Sequence, residues 1–302
     1  MSKLAIAGFT NLGYLLHSRK FGPLNTDMSG RTILITGATG GLGEAAALAL
    51  ANLGARVVAV ARDQAKLDAL TRQSAGRALG IRADLSSLAE IRRLAAVFLE
   101  TEPRLDVLIN NVGVLFNQRV VTDEGIEATL ATNLAGHFLL TNQLTPLLVR
   151  SAPSRIVNVS SGGMYSERIH PDDLHYEREK YRGASAYART KRGQVILTEM
   201  WASQLAEAGV VVHSMHPGWA KTAGIERSLP TFNRLMKPLL RTPEQGADTI
   251  VWLAAGSEPG LSTGQFWFDR AGVPTHLVES TMETADEREA LWEGLARMSS
   301  DG

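Results

Sequence analysis

The chain has no cysteine among its 302 residues, which removes disulfides, thiol nucleophiles and cysteine-ligated zinc from consideration and fits a cytoplasmic setting. Charge imbalance is missing as well. With 31 basic residues against 31 acidic ones, net charge gives no reason to expect nucleic acid or an anionic membrane as partner. Histidine is scarce, seven in all, and the closest two, His213 and His216, are three apart at a strand end, where an odd offset points them to opposite faces. No metal site is expected there. Also absent is any apolar run of the about 20 residues that a membrane span needs. The stretch from Leu4 to Leu16 is too short and is interrupted by Thr10 and Asn11, and it lacks the basic start and small-residue cleavage site of a signal peptide. It reads as an amphipathic helix packed on the body of the protein, with an interfacial membrane anchor as the alternative.

From Arg31 onward, strand and helix patterns alternate. Strands are predicted at Thr32–Thr36, Arg56–Arg62, Ala78–Leu85, Leu105–Asn110, Ile156–Ser160, Val210–His213 and Gln265–Asp269. Helices fall between them at Glu44–Leu53, ended by Gly54, at Lys66–Arg72, from a Ser87-Leu88-Ala89-Glu90 capping box to Pro103, at Glu124–Val149 and from Tyr187 to about Glu207, with further ones at Pro243–Ala255 and Glu287–Met298. Such alternation implies right-handed crossovers and a parallel sheet covered on both faces. The expected fold class is α/β, a single doubly wound Rossmann sheet in residues 30–270, flanked by an apolar extension at 1–29 and a helical one at 271–302. The polar excursion Ser166–Arg182 reads as a solvated loop. Residues 219–241, with Trp219, Leu229, Phe232, Leu235, Met236 and Leu239, read as a lid over an apolar pocket or as core packing.

The chemistry centres on Tyr187-Ala188-Arg189-Thr190-Lys191. Four residues of helix put the phenol and the ammonium on one face, and a nearby cation favours the phenolate. Ser160 and Ser161 end a buried strand, at the sheet edge where parallel sheets present their chemistry, which makes Ser161 a partner for Tyr187. Thr36-Gly37-Ala38-Thr39-Gly40-Gly41-Leu42-Gly43 joins a strand to a helix, the setting of a dinucleotide fingerprint whose backbone amides meet a pyrophosphate. The second strand ends in Ala61-Arg62. No acid stands there to bind a free ribose 2′-hydroxyl, whereas Arg62 could pair with a 2′-phosphate, so NADP(H) is preferred over NAD(H).

Thr36-Gly37 with Gly41 and Gly43, Asn110-Asn111-Val112-Gly113, Asn133, Ser161, Tyr187 with Lys191, and Pro217-Gly218 stand in the order of the short-chain dehydrogenase/reductase family, which the chain resembles, especially in its retinol-dehydrogenase-like branch. The resemblance implies that Tyr187 is the general acid or base, that Lys191 lowers its pKa and holds the nicotinamide ribose, that Ser161 binds the substrate oxygen and that Asn133 anchors a water of the proton relay. It further implies cofactor contacts from Gly37, Thr39, Gly41, Leu42 and Gly43, from Arg62, from Asp84 and Leu85 beside the adenine, from Asn110 and Gly113, and from Pro217, Gly218 and Thr222. A homo-oligomer through the two long helices after the fourth and fifth strands also follows from it. Two departures stand out: Val112 replaces the usual alanine, and the last strand lacks the common Asp-Gly-Gly ending. The expected activity is interconversion of a carbonyl and an alcohol on a small lipophilic molecule, with apolar residues 4–16 offering peripheral membrane contact. The alternative is a nucleotide-binding sensor or interaction protein that keeps the fold without turnover.

Overall fold

The computed structural model describes residues 8–221 and 234–300. Eight strands form one sheet in the order β3-β2-β1-β4-β5-β6-β7-β8. They are β1 (Thr32–Thr36), β2 (Arg56–Ala61), β3 (Ala78–Arg82), β4 (Val107–Asn110), β5 (Ser154–Val159), β6 (Val210–His216), β7 (Phe266–Phe268) and β8 (Ala271–Gly272). All neighbours pair in parallel except β7 and β8, a closing hairpin that the sequence pattern did not show. Strand order reverses between β1 and β4, which opens a crevice at their carboxyl ends.

Around the sheet lie the helices α1 (Asn11–His17), α2 (Gly41–Asn52), α3 (Gln64–Gln73), α4 (Leu88–Thr101), α5 (Ala128–Leu130), α6 (Gly136–Arg150), α7 (Gly183–Leu205), α8 (Pro243–Ala255) and α9 (Ala285–Ser300). Alternate strand residues face alternate layers. Ile33, Ile35, Val57, Ala59, Val107 and Ile109 pack with α2, α3 and α8. Leu34, Val58, Val60, Leu108 and Ile156 pack with α4, α6, α7 and α9. Because both faces are covered, these strands read as continuous apolar runs rather than as an alternation, and each buried aliphatic side chain contributes roughly 1.5–3 kcal/mol.

Four local expectations are corrected. β3 stops at Arg82, and Asp84 instead turns back to accept the Ser86 N–H at 2.9 Å and its hydroxyl at 2.8 Å. The capping box of α4 is half formed: Ser87 Oγ caps the Glu90 N–H, but the Glu90 carboxylate takes the Asp84 N–H. Glu124 explains this, since its carboxylate reaches across to cap Leu88, Ala89 and the Ser87 hydroxyl. So Glu124 lies outside its predicted helix. That helix begins at Ala128, where the Glu127 carboxylate caps Thr129 and Leu130, and it continues into α6 through a π turn, Ala131–Ala135. The Ser166–Arg182 excursion is also less solvated than its charges imply, because Arg189 of α7 is buried beneath it, paired with Glu179 and stacked 4.1 Å from the Tyr176 ring. At the other end, α9 lies on α6 and α7, with Trp292 against Phe138 at 4.9 Å and Trp201 at 6.1 Å.

The N-terminal segment is locked to the sheet edge by one ion pair. Arg241, 1% exposed, makes a two-point contact with Asp269 at 2.5 and 2.7 Å, and its remaining protons go to the carbonyls of Gly8, Phe9 and Thr10 and to that of Pro217. Asp269 and Arg270 both have positive φ, 48° and 57°, at the place where the glycines of the resembling family are missing. Such backbone is held only by its surroundings, here by Arg241 on Asp269 and by Asp248 on Arg270. Thr10 caps α1 and Gly13 is its buried residue, with Gly8 carbonyl atoms 2.3 Å from where a Cβ would stand. Deleting residues 1–20 should therefore leave a buried guanidinium without three of its acceptors. The expected loss is on the order of 3 kcal/mol, or roughly 6–12 °C in melting temperature, and a calorimetric scan showing an unchanged midpoint would contradict it.

Candidate active site

The crevice floor begins at the turn from β1 into α2. Gly37 and Gly41 have φ of 68° and 55°, which side chains rarely adopt. A Cβ on Gly43 would lie 2.2 Å from the Gly37 carbonyl oxygen, so turn and helix touch, whereas one on Gly40 would meet nothing within 4 Å. The turn is braced from below. Thr36 Oγ1 accepts the N–H groups of Asn111 and Val112 at 3.0 and 3.1 Å, and Asn111 Nδ2 donates to the Thr36 carbonyl at 2.7 Å. Backbone amides thus stand at the positive end of a 12-residue helix with open space before them, which fits a pyrophosphate. Thr39 is half-buried on this turn, and Leu42 packs inward on Gly246 of α8.

Further along the edge, Ala61 ends β2 and Arg62 follows with an exposed guanidinium 3.6 Å from Asp84 Oδ2. Burial pushes the Asp84 carboxyl up, but the Ser86 hydrogen bonds and Arg62 outweigh it and hold the group below the usual range. Leu85 is core, its carbonyl oxygen 2.6 Å from where a Cβ on Gly136 would stand. Asn110 does not line the crevice with its side chain. It is fully buried, donating to Thr141 at 3.0 Å and to Asn158 at 2.8 Å, between sheet and helices. The neighbour, Asn111, is the residue that serves the glycine turn.

At the centre stand the ends of β5 and α7. Ser160 Oγ donates to the Lys191 carbonyl at 2.8 Å and so faces the helix backbone. Ser161 faces the other way, accepting the Gly163 N–H at 3.2 Å and hydrogen-bonding the Tyr187 phenol. Lys191, 2% exposed, donates to the Val159 carbonyl at 2.8 Å and to Gln194 Oε1 at 3.0 Å. Its Nζ lies 3.2 Å from where a Cβ on Gly113 would stand, so a side chain there would press on the ammonium. The net shift of Tyr187 runs opposite to the one expected from a neighbouring ammonium. Burial pushes the phenol up, with the Ser161 hydrogen bond opposing. The Lys191 Nζ is 5.5 Å from the ring centre, and burial brings the ammonium itself down to about 7. Desolvation dominates both groups.

Asn133 sits in the π turn, a form that concentrates at functional sites. Its side chain exchanges two hydrogen bonds with the Val114 backbone, at 2.8 and 2.9 Å, and donates to Thr190 at 3.1 Å. Two residues passed over in the sequence join this group. Gln194 is polar on a buried helix face one turn beyond Lys191, which was a usable signal. His216 gave no signal beyond its place at a strand end: its Nδ1 accepts the Gly162 N–H at 2.9 Å, and burial takes its pKa down to about 3, so the ring stays neutral and steadies the loop next to Ser161. Phe9 packs edge-on against His216 at 4.5 Å.

Pro217 and Gly218 follow His216. Gly218 has φ 75°, and a Cβ there would strike the Arg241 guanidinium at 2.3 Å. Trp219 donates its N–H to the Phe9 carbonyl, Leu235 is exposed, and Met236 and Leu239 are half-buried. Thr222, Leu229 and Phe232 lie outside the described residues. No group of three histidine, aspartate or glutamate side chains among the described residues is placed to hold a metal.

Residues 31–231 match the model of the short chain dehydrogenase family. The chain is 37% identical over 299 residues to dehydrogenase/reductase SDR family member 12 of Homo sapiens, covering 96% of this chain and 93% of that one. It is 34% identical over 289 residues to human retinol dehydrogenase 13, covering 91% and 86%. Among solved structures it is similar to the Pseudomonas aeruginosa RhlG/NADP active-site complex, with 30% identity, a TM-score of 0.67 and coverage of 82% of this chain and 96% of that one. The crevice, the glycine turn and these likenesses agree: the chain belongs to the short-chain dehydrogenase family and is an oxidoreductase acting on CH–OH donors with a nicotinamide cofactor.

Proposed function

We propose that the chain interconverts a carbonyl and an alcohol on a lipophilic small molecule with NADP(H), with Tyr187, Lys191 and Ser161 handling the proton, which in reduction goes to the substrate oxygen. The observation that carries this reading is the convergence of the Tyr187 phenol and the Ser161 hydroxyl beside a buried Lys191, at the carboxyl edge of the sheet. When bound, the nicotinamide supplies the hydride, which side chains cannot. Tyr187, held protonated by burial, gives its proton to the substrate oxygen. Ser161, whose Oγ already accepts from Gly163, turns its own hydrogen to the charge developing on that oxygen. Lys191 and Gly113 form the wall where the ribose would lie, and Gly37, Thr39, Gly41, Leu42 and Gly43 the cradle for the pyrophosphate. Replacing Tyr187 by Phe should lower kcat roughly a hundredfold to ten-thousandfold while cofactor still binds. Near wild-type kcat in Tyr187→Phe on a verified substrate would remove the reading.

The preference for NADP(H) rests on Ala61 and Arg62. A charged pair between Arg62 and a 2′-phosphate contributes on the order of 1.5–3 kcal/mol, or roughly tenfold to a hundredfold in affinity, and Asp84 holds Arg62 at that place meanwhile. Calorimetric titration of Arg62→Ala should show NADPH weakened far more than NADH, and Ala61→Asp should favour NADH. Tighter binding of NADH by the unaltered protein would count against the assignment.

The lipophilic substrate class is read from the apolar composition of the segment after Pro217-Gly218, with Trp219, Leu235, Met236 and Leu239, and an enzyme in the cytoplasm meets such molecules at a membrane surface. Leu12, Leu15 and Leu16 stand exposed on one side of α1, at the three- and four-residue spacing of a helix face, with Arg19 and Lys20 following. No helix among the described residues is long and apolar enough to cross a membrane, so the contact would be peripheral. Changing all three leucines to serine should abolish partitioning onto liposomes of anionic lipid and leave the melting temperature unchanged; a protein that partitions equally with and without them has no such contact. Self-association through α6 and α7, the two long helices after the fourth and fifth strands, belongs to the same proposal; Val149 at the end of α6 is exposed.

A further inference from the structure

Gln194 is buried on α7 one turn beyond Lys191, and its carboxamide is used at both ends. Oε1 accepts from Lys191 Nζ at 3.0 Å, and Nε2 donates to the Asn133 carbonyl at 2.8 Å. An ammonium only donates and a carbonyl only accepts, so the two contacts fix which way the amide points. Nε2 also lies 2.6 Å from His137 Nδ1. The amide nitrogen donates, so Nδ1 accepts and the imidazole is neutral, in keeping with burial that takes it down to about 3.

The titratable groups facing Lys191 are Tyr187 on its own helix and His137 from α6. From β5 it meets the Val159 carbonyl, from the β4 loop Gly113, and burial alone moves its pKa. No carboxylate among the described residues balances it, so its charged form depends on two neutral oxygens. One belongs to the sheet and cannot be changed; the other is Gln194.

We propose that Gln194 is a positioning residue of the active site, holding the Lys191 ammonium against β5 and tying it with its amide to the backbone carbonyl of Asn133. The inference rests on the Tyr187–Lys191 reading above and deepens it. Removing the amide oxygen takes away an acceptor that favours the charged lysine, so its pKa falls. A carboxylate in the same place raises it.

Lysine-selective NMR of the full-length protein without cofactor reads this directly, because the chain has seven lysines and Lys191→Ala assigns the signal. Lys191 should titrate near 7 in the unaltered protein, about one pH unit or more lower in Gln194→Leu and higher in Gln194→Glu, a tenfold change in equilibrium each way. NADPH should bind roughly tenfold more weakly to Gln194→Leu. Gln194→Glu matches the native side chain in shape and keeps the test open should the leucine variant not fold. If Lys191 titrates at the same pH in the unaltered protein and the variants, Gln194 merely fills space and the proposal is overturned. An active Tyr187→Phe enzyme would instead overturn the catalytic reading while leaving the Lys191 titration as it was, so the two failures are told apart.

Discussion

An ammonium group taken out of water must find oxygen atoms within the protein or lose its proton, and the centre of this molecule is arranged around that requirement for Lys191. The residue is carried on α7, a helix buried along most of its length, and it reaches back to the last carbonyl of β5. That geometry sets the distance between helix and sheet. It also favours glycine at position 113, uses a hydroxyl at Ser160 to tie the helix backbone to the strand end, and places a polar residue at 194 in what would otherwise be apolar core. Even the π turn takes part, because it presents the Asn133 carbonyl that the far end of Gln194 needs.

A second, independent charge organises the opposite rim. Arg241 and Asp269 are both nearly excluded from solvent and neutralise each other, yet a guanidinium has five protons and a carboxylate satisfies only some of them. Of the rest, one is taken by Pro217 and the others by the N-terminal segment, which ties that segment to the sheet edge. Two buried cations thus fix the two walls of the crevice, one by neutral oxygens and the other by an ion pair. The first stays responsive to pH near neutrality.

Much of this was legible in the sequence because the relevant signals are local. The glycine turn, the Tyr187–Lys191 spacing and the apolar strands each declare themselves within about ten residues, and the order of strands and helices then dictates a parallel sheet. What escaped depends on contacts between distant segments. Glu124 capping α4, Asn111 bracing the turn rather than Asn110 lining the crevice, and Arg241 gathering residues 8–10 join positions from about 36 to more than 230 apart. No local pattern encodes such pairings. The inverted expectation for Tyr187 has a different cause: spacing alone shows that a lysine is near a phenol, whereas the sign of the shift depends on how much water each has lost.

Phe9 rests on His216, and His216 holds the amide of Gly162, next to Ser161. A residue near the start of the chain is therefore two contacts from the hydroxyl placed to meet the substrate oxygen. Any change to the packing of Phe9 is passed through the imidazole to the loop in which Ser161 stands. A substitution that looks remote from the reaction, made at Phe9 for reasons of handling alone, is therefore also a change to the chemistry being measured.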